Sequence, residues 1–77
     1  TATVEEELGM LYAQPINNGF QLVDNTPKKV YVVLETSVEN TYVLKDKNGI
    51  LYKLGDYWIA EYYVNNQLVE MKFKIKF

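Results

Sequence analysis

The last nine residues of the chain alternate between apolar and charged side chains, and no other pattern in the sequence restricts the fold as strongly. The apolar positions are Val69, Met71, Phe73, Ile75 and Phe77, and the charged ones are Glu70, Lys72, Lys74 and Lys76. Side chains of a β-strand point alternately to its two faces, whereas a helix repeats about every 3.6 residues. The alternation therefore predicts a C-terminal strand with one buried face and one charged face.

A second strand precedes this one closely enough to form a hairpin with it. Residues 57–64 are rich in aromatic and branched side chains, which favour strands. Asn65 and Asn66 come next, and asparagine tolerates the positive φ angles of a tight two-residue turn. We therefore predict an antiparallel hairpin made of residues 57–64 and 69–77.

Four further strands are indicated in the middle of the chain. They are residues 20–23, 29–37, 41–46 and 50–54. The strand at 29–37 has Val30, Val32 and Leu34 on one face, and Asn48-Gly49 marks the turn before the last of the four. About six strands with short turns and no crossover helix are typical of an antiparallel sandwich or barrel.

Residues 1–14 are compatible with either a strand or a short helix. Thr3 and Glu6 have the spacing of a helix capping box. Four apolar side chains would share one helical face, and they are Val4, Leu8, Leu11 and Tyr12. Gly9 weakens the helix by about 1 kcal/mol, whereas three successive glutamates weaken the strand. We favour the strand, chiefly because the rest of the chain is β.

Composition excludes several classes of chemistry. The 77 residues include no Cys and no His, so thiolate and imidazole metal ligands, disulfides and His-dependent catalysis are excluded. There is no Arg and the pI is about 5.0, which argues against nucleic-acid binding. No apolar run approaches the roughly 20 residues of a membrane helix. We expect a single domain over residues 1–77. Because the chain begins at Thr1 rather than at Met, we also expect a processed protein or a domain excised from a longer one.

The C-terminal part resembles immunoglobulin-like and fibronectin-III-like modules of microbial surface proteins. Residues 54–77, LGDYWIAEYYVNNQLVEMKFKIKF, contain the Gly-x-Tyr element, a turn, Leu-Val and an alternating last strand of those modules. The matching positions are Gly55, Tyr57, Asn65, Asn66, Leu68 and Val69. The resemblance implies an all-β fold, a small antiparallel sandwich of six or seven strands, acting as a non-catalytic scaffold.

The same resemblance sets three structural expectations. Tyr57 would be the tyrosine corner, with its ring directed inward. Glu61 would then also point inward, and an unpaired buried carboxylate is costly. Either a bulge changes the register, or a partner pairs with Glu61. The chain is short for a sandwich of roughly 100 residues, so a strand would be missing or contributed by another molecule, with residues 1–14 as a peripheral or exchanged segment.

Two sets of side chains are candidates for binding. The first is aromatic and could stack on a ligand or simply cover a small core: Trp58, Tyr62, Tyr63, Tyr52 and Tyr42. The second is the row Lys72, Lys74 and Lys76, which could bind an anionic surface or only keep the strand solvated. Glu5 and Glu7 alternate in the same way, and we expect them to lie alongside the lysine row. Glu61 could be a catalytic carboxylate, but no second catalytic group is identifiable. We favour a solvent-facing Glu61 on a strand whose buried face carries Trp58, Ala60, Tyr62 and Val64.

These observations favour a structural or adhesive interaction module of a surface or secreted protein, binding a protein partner or assembling with itself by strand addition. One alternative is a small barrel that binds carbohydrate or single-stranded nucleic acid through its aromatic residues. Another is an inhibitor or regulatory subunit. We do not expect an enzyme or a cofactor, because Ser37 has no activating base and nucleotide-binding motifs are absent. We do not expect a metal or a membrane span either, because Cys and His are missing and the apolar runs are short.

Overall fold

The computed structural model describes residues 3–26, 29–45 and 47–77, with side chains described from residue 9 onward. These residues form seven strands and no helix. The strands are β1 (Thr3–Ile16), β2 (Gly19–Val23), β3 (Lys29–Glu35), β4 (Thr41–Leu44), β5 (Gly49–Leu54), β6 (Tyr57–Val64) and β7 (Gln67–Lys76). An all-β fold is therefore confirmed, and the predicted hairpin of residues 57–64 and 69–77 is the β6–β7 pair.

The strands close into a barrel rather than stacking as a sandwich. Each strand pairs with the next one along the chain in antiparallel fashion, and β1 then pairs with β7 in parallel, with Leu11 opposite Ile75. A meander with an odd number of strands leaves its first and last strands running in the same direction, so only a parallel pair can close it. The predicted wholly antiparallel immunoglobulin-like sandwich is wrong in both respects.

The length of β1 explains the closure. This strand has 14 residues, and it pairs with β7 from Thr3 to Tyr12 and with β2 from Tyr12 to Ile16. The first strand thus reaches both the second and the last, and no strand from another molecule is required to complete the sheet. The helical alternative for residues 1–14 is wrong for residues 3–14, and residues 1–2 lie outside the described residues.

Gly9 makes the long first strand possible. Its φ angle is +81°, a region that L side chains rarely adopt, and the register with β7 shifts between Glu7 and Gly9. This is a β-bulge, which bends a strand and increases its twist, as the closure of a small barrel requires. The residue that weakened the helical interpretation is therefore the one that lets β1 curve.

The tight turns follow the predicted asparagines and glycines. Asn65 and Asn66 both have positive φ, 51° and 65°, which is the geometry of a type I′ hairpin turn. Gly55, with φ of +62°, lies between β5 and β6. Gly49 begins β5, where a Cβ would overlap the backbone oxygen of Glu61.

The barrel interior is filled by side chains. Every strand contributes to the buried cluster, which consists of Leu11, Leu22, Tyr31, Val33, Leu44, Leu51, Trp58, Ala60 and Phe73. This is the usual condition of a barrel with few strands, whose diameter is only sufficient for its own side chains. No helix within the described part of the chain is long and apolar enough to cross a membrane.

Candidate interaction surfaces

The candidate aromatic residues are divided between the inside and the outside of the barrel. Trp58 is only 7% exposed and packs with Phe20, Tyr42 and Phe77 into a ring of four aromatic side chains, with neighbouring centroids 5.2–6.0 Å apart. We call this the Trp58 end of the barrel. Trp58 and Tyr42 are therefore largely internal, and they serve mainly to close this end of the core.

Tyr62 is half-buried and faces the interior near the opposite end. Its ring lies 6.1 Å from that of Tyr31, and the two hydroxyl oxygens are 3.3 Å apart, within hydrogen-bond distance. Tyr31 in turn stacks on Phe73 with centroids 5.8 Å apart. We call this the Tyr31 end. Tyr63, the next residue along β6, is 55% exposed on the outer face, as the alternation of a strand requires.

Glu61 lies on the outer face of β6, between the interior-facing Ala60 and Tyr62. It accepts a hydrogen bond of 2.8 Å from the hydroxyl of Tyr52 on the neighbouring strand β5. Burial raises the pKa of Tyr52 to about 12, with further contributions from this hydrogen bond and from the charges of Glu61 and Glu70. The carboxylate is thus held by a phenol.

The lysine row is partly engaged by an aromatic ring. The ammonium group of Lys72 lies 4.1 Å from the centroid of the Tyr57 ring, and that of Lys74 lies 5.4 Å from it. Tyr57 is therefore on the outer face, half-buried beneath two lysines, and does not point inward as a tyrosine corner would. Lys76 is exposed.

The expected neighbours of the lysine row are in place at the level of the backbone. The parallel register of β1 and β7 sets Glu7 opposite Lys72 and Glu5 opposite Glu70. Residues 4–8 therefore run beside β7, which carries the lysine row, as the sequence predicted.

An apolar surface that sequence reasoning missed lies on the outside of β3, β4 and β5. The register places Leu34 opposite Val43, and Val43 opposite Ile50, so the three side chains form a continuous row that we call the apolar row. Val43 is 43% exposed and Ile50 41% exposed, while Leu34 and its neighbour Val32 are half-buried. The interior positions of β3 are instead Tyr31 and Val33.

A hollow opens at the Trp58 end. It has a volume of about 450 Å³, and its apolar lining consists of Met10, Trp58, Ile75 and Phe77. Its polar lining consists of Asn40, Lys53, Asp56 and Lys74. Among the described residues there is no group of three or more His, Cys, Asp or Glu side chains that could hold a metal ion.

Neither the models of known protein families, nor curated proteins, nor solved structures gave a match to this chain.

Proposed function

We propose that this domain is a non-catalytic protein-interaction module whose contact surface is the apolar row and its surroundings on β3–β5. The observation that carries the proposal is the continuity of Leu34, Val43 and Ile50 across three neighbouring strands. Contiguous apolar side chains on the outside of a small domain mark interaction sites, whereas scattered ones do not.

The opposite wall of the same barrel provides an internal comparison. Outer positions of β7 carry Glu70, Lys72, Lys74 and Lys76, which is the normal condition of a strand face turned toward water. The outer positions of β3, β4 and β5 lack this charge. Because both walls enclose one core, the demands of the core do not account for the difference, and a partner that covers the apolar row does.

Docking on a face is favoured over strand addition. Strand addition needs an exposed sheet edge, and in the closed barrel β1 and β7 are paired with each other, which leaves short unpaired stretches such as residues 29–31 of β3 rather than a full edge strand. Membership of a surface or secreted protein stays a prediction from the sequence alone.

Selection from a displayed random-peptide library tests the proposal. The wild-type domain is the target, and the double variant Val43→Lys/Ile50→Lys is used for counter-selection. The matched control, Val38→Lys/Val64→Lys, alters two side chains that are also exposed, 61% and 47%, but lie outside the apolar row. We expect enriched peptides that bind the wild type and the control at least about tenfold more tightly than the double variant. Peptides that bind all three proteins equally would contradict the proposal.

A second candidate function is supported by the hollow at the Trp58 end. Aromatic rings beside an amide, a carboxylate and two ammonium groups are groups that bind a small polar ligand such as an oligosaccharide. Trp58 lines this hollow, so its fluorescence should change on titration with oligosaccharides. A flat titration with every sugar tested would remove this candidate.

A further inference from the structure

Among the described residues, the pairing of β3 with β4 stops short of the beginning of β3 and leaves a gap beside the connection that follows β4. The hollow in this gap has a volume of about 160 Å³. It is lined by Lys29, Val30, Tyr31, Val32, Lys45 and Lys47. We call it the lysine cleft, and three of its six lining residues are cations in a chain whose net charge is −2.

The cleft exists because β4 is only four residues long. After Leu44, a last hydrogen bond of 2.8 Å joins the N–H of Lys45 to the carbonyl of Val32. Beyond this bond, residues 29–31 of β3 have no partner on β4. On the other side of the strand, Val30 is the extra residue of a bulge in the β2–β3 register, which bends the beginning of β3.

The three ammonium groups are available to a ligand. All three lysines are exposed, and all three line the cleft. The ammonium group of Lys47 lies 4.7 Å from the centroid of the Tyr62 ring, so it is partly engaged by an aromatic ring, as those of Lys72 and Lys74 are. Asp46, between Lys45 and Lys47 in the sequence, lies outside the described residues.

We propose that the lysine cleft binds carboxylates of an acidic segment in the protein partner, whose apolar side chains cover the apolar row. This inference rests on the proposed function and names the chemistry of the partner. Continuity supports it, because Val32 lines the cleft and belongs to the same outer face of β3 as Leu34. A segment with alternating acidic and apolar residues matches the two surfaces together.

A carboxylate fits the cleft better than a nucleic acid does. The chain has no Arg, the side chain best suited to phosphate recognition, and the aromatic ring in the lining, Tyr31, is buried and cannot stack on a base. A hollow of about 160 Å³ accepts one or two carboxylate groups rather than a nucleotide.

Nuclear magnetic resonance titration of the isotope-labelled chain tests the inference. The probes are a six-residue peptide alternating glutamate and leucine, its lysine–leucine counterpart, inorganic phosphate and a short single-stranded oligonucleotide. We expect the glutamate–leucine peptide to bind, to shift the signals of residues 29–32, 45 and 47, and to weaken severalfold between about 50 and about 500 mM salt. No binding of this peptide, or tighter binding of phosphate or oligonucleotide, would overturn the inference.

Lysine variants locate the site. The triple variant Lys29→Gln/Lys45→Gln/Lys47→Gln should bind the glutamate–leucine peptide at least about fivefold more weakly. Lys53→Gln, which removes an exposed cation from the opposite end of the barrel, should change binding by less than about 1.5-fold. If Lys72→Gln/Lys74→Gln/Lys76→Gln abolishes binding while the cleft variant does not, the anion surface is the lysine row and the inference is wrong.

The double variant Val43→Lys/Ile50→Lys separates this inference from the proposed function. If library peptides require the apolar row but bind the cleft variant as tightly as the wild type, the inference fails and the proposed function stands. If neither variant affects peptide binding, both fail. Circular dichroism of each variant establishes that it is folded, as expected for substitutions at exposed or half-exposed positions.

Discussion

At the scale of single residues, the pair formed by Tyr52 and Glu61 is the most specific polar feature on the outer wall. A hydrogen bond of 2.8 Å joins the phenol to the carboxylate. The sequence raised the possibility that Glu61 would need a partner, but it could not identify one. Tyr52 is nine residues away, and the two residues come together only because β5 and β6 pair with Tyr52 opposite Ile59 and Ile50 opposite Glu61.

This pair has a consequence for alkaline stability. The pKa of Tyr52 is raised from 10.0 to about 12, so the folded protein favours the neutral phenol more strongly than the unfolded chain does. The resulting stabilisation is complete below about pH 10 and is lost as the pH rises toward about 12.

Absorbance titration of the phenolate measures this effect. The difference between wild type and Tyr52→Phe should isolate one phenol that ionises near pH 12, and in Glu61→Gln that ionisation should move to lower pH because the carboxylate is gone. Tyr63→Phe, at an exposed tyrosine of the neighbouring strand, is the control. A Glu61→Gln protein with the same titration curve as the wild type would show that the pair does not form.

At the scale of single strands, alternation assigns neighbouring residues to opposite environments. Leu51 of β5 is fully buried in the core, and Ile50 beside it is 41% exposed in the apolar row. Leu51→Ala should therefore lower the free energy of unfolding by about 2–5 kcal/mol, and Ile50→Ala by less than about 1 kcal/mol. Urea denaturation of both variants measures the difference, and equal losses would mean that the assigned faces of β5 are wrong.

The strands were predictable from sequence to different degrees. The alternation in residues 69–77 identified β7, and Asn65 with Asn66 identified the hairpin, because charge and turn chemistry act locally. In β3 the pattern was ambiguous, because Val30, Val32 and Leu34 on one side are as apolar as Tyr31 and Val33 on the other. A strand that is apolar on both faces does not reveal which one is buried.

At the scale of the whole molecule, closure into a barrel was the step that local patterns could not supply. A sandwich and a barrel use the same short strands and turns, and they differ in whether the first strand reaches the last. That contact joins residues such as Leu11 and Ile75, which are far apart in the sequence. The β6–β7 hairpin is present, but the sandwich that the resemblance of residues 54–77 implied is not, because the sheet closes into a barrel.

The two proposed interaction surfaces could not be predicted from the sequence for the same reason. The apolar row combines one side chain from each of three strands, and the lysine cleft combines β3 with the connection that follows β4. Neither forms a motif along the chain. The sequence did provide two sets of candidates, the aromatic residues and the lysine row. The structure uses Trp58 and Tyr42 to close one end of the core and places Lys72 and Lys74 near the ring of Tyr57.

The parallel pairing of β1 with β7 within one chain is the central claim, and disulfide trapping tests it most directly. The chain has no Cys, so Met10→Cys/Lys74→Cys introduces a single possible bridge between two exposed residues that lie opposite each other. Met10→Cys/Tyr63→Cys is the control, because β1 and β6 are not neighbours. We expect rapid oxidation of the first pair to a monomer without free thiols, as the spacing of adjacent strands allows. Disulfide-linked dimers would show that β1 is exchanged between molecules, and unoxidised thiols would show that the barrel does not close.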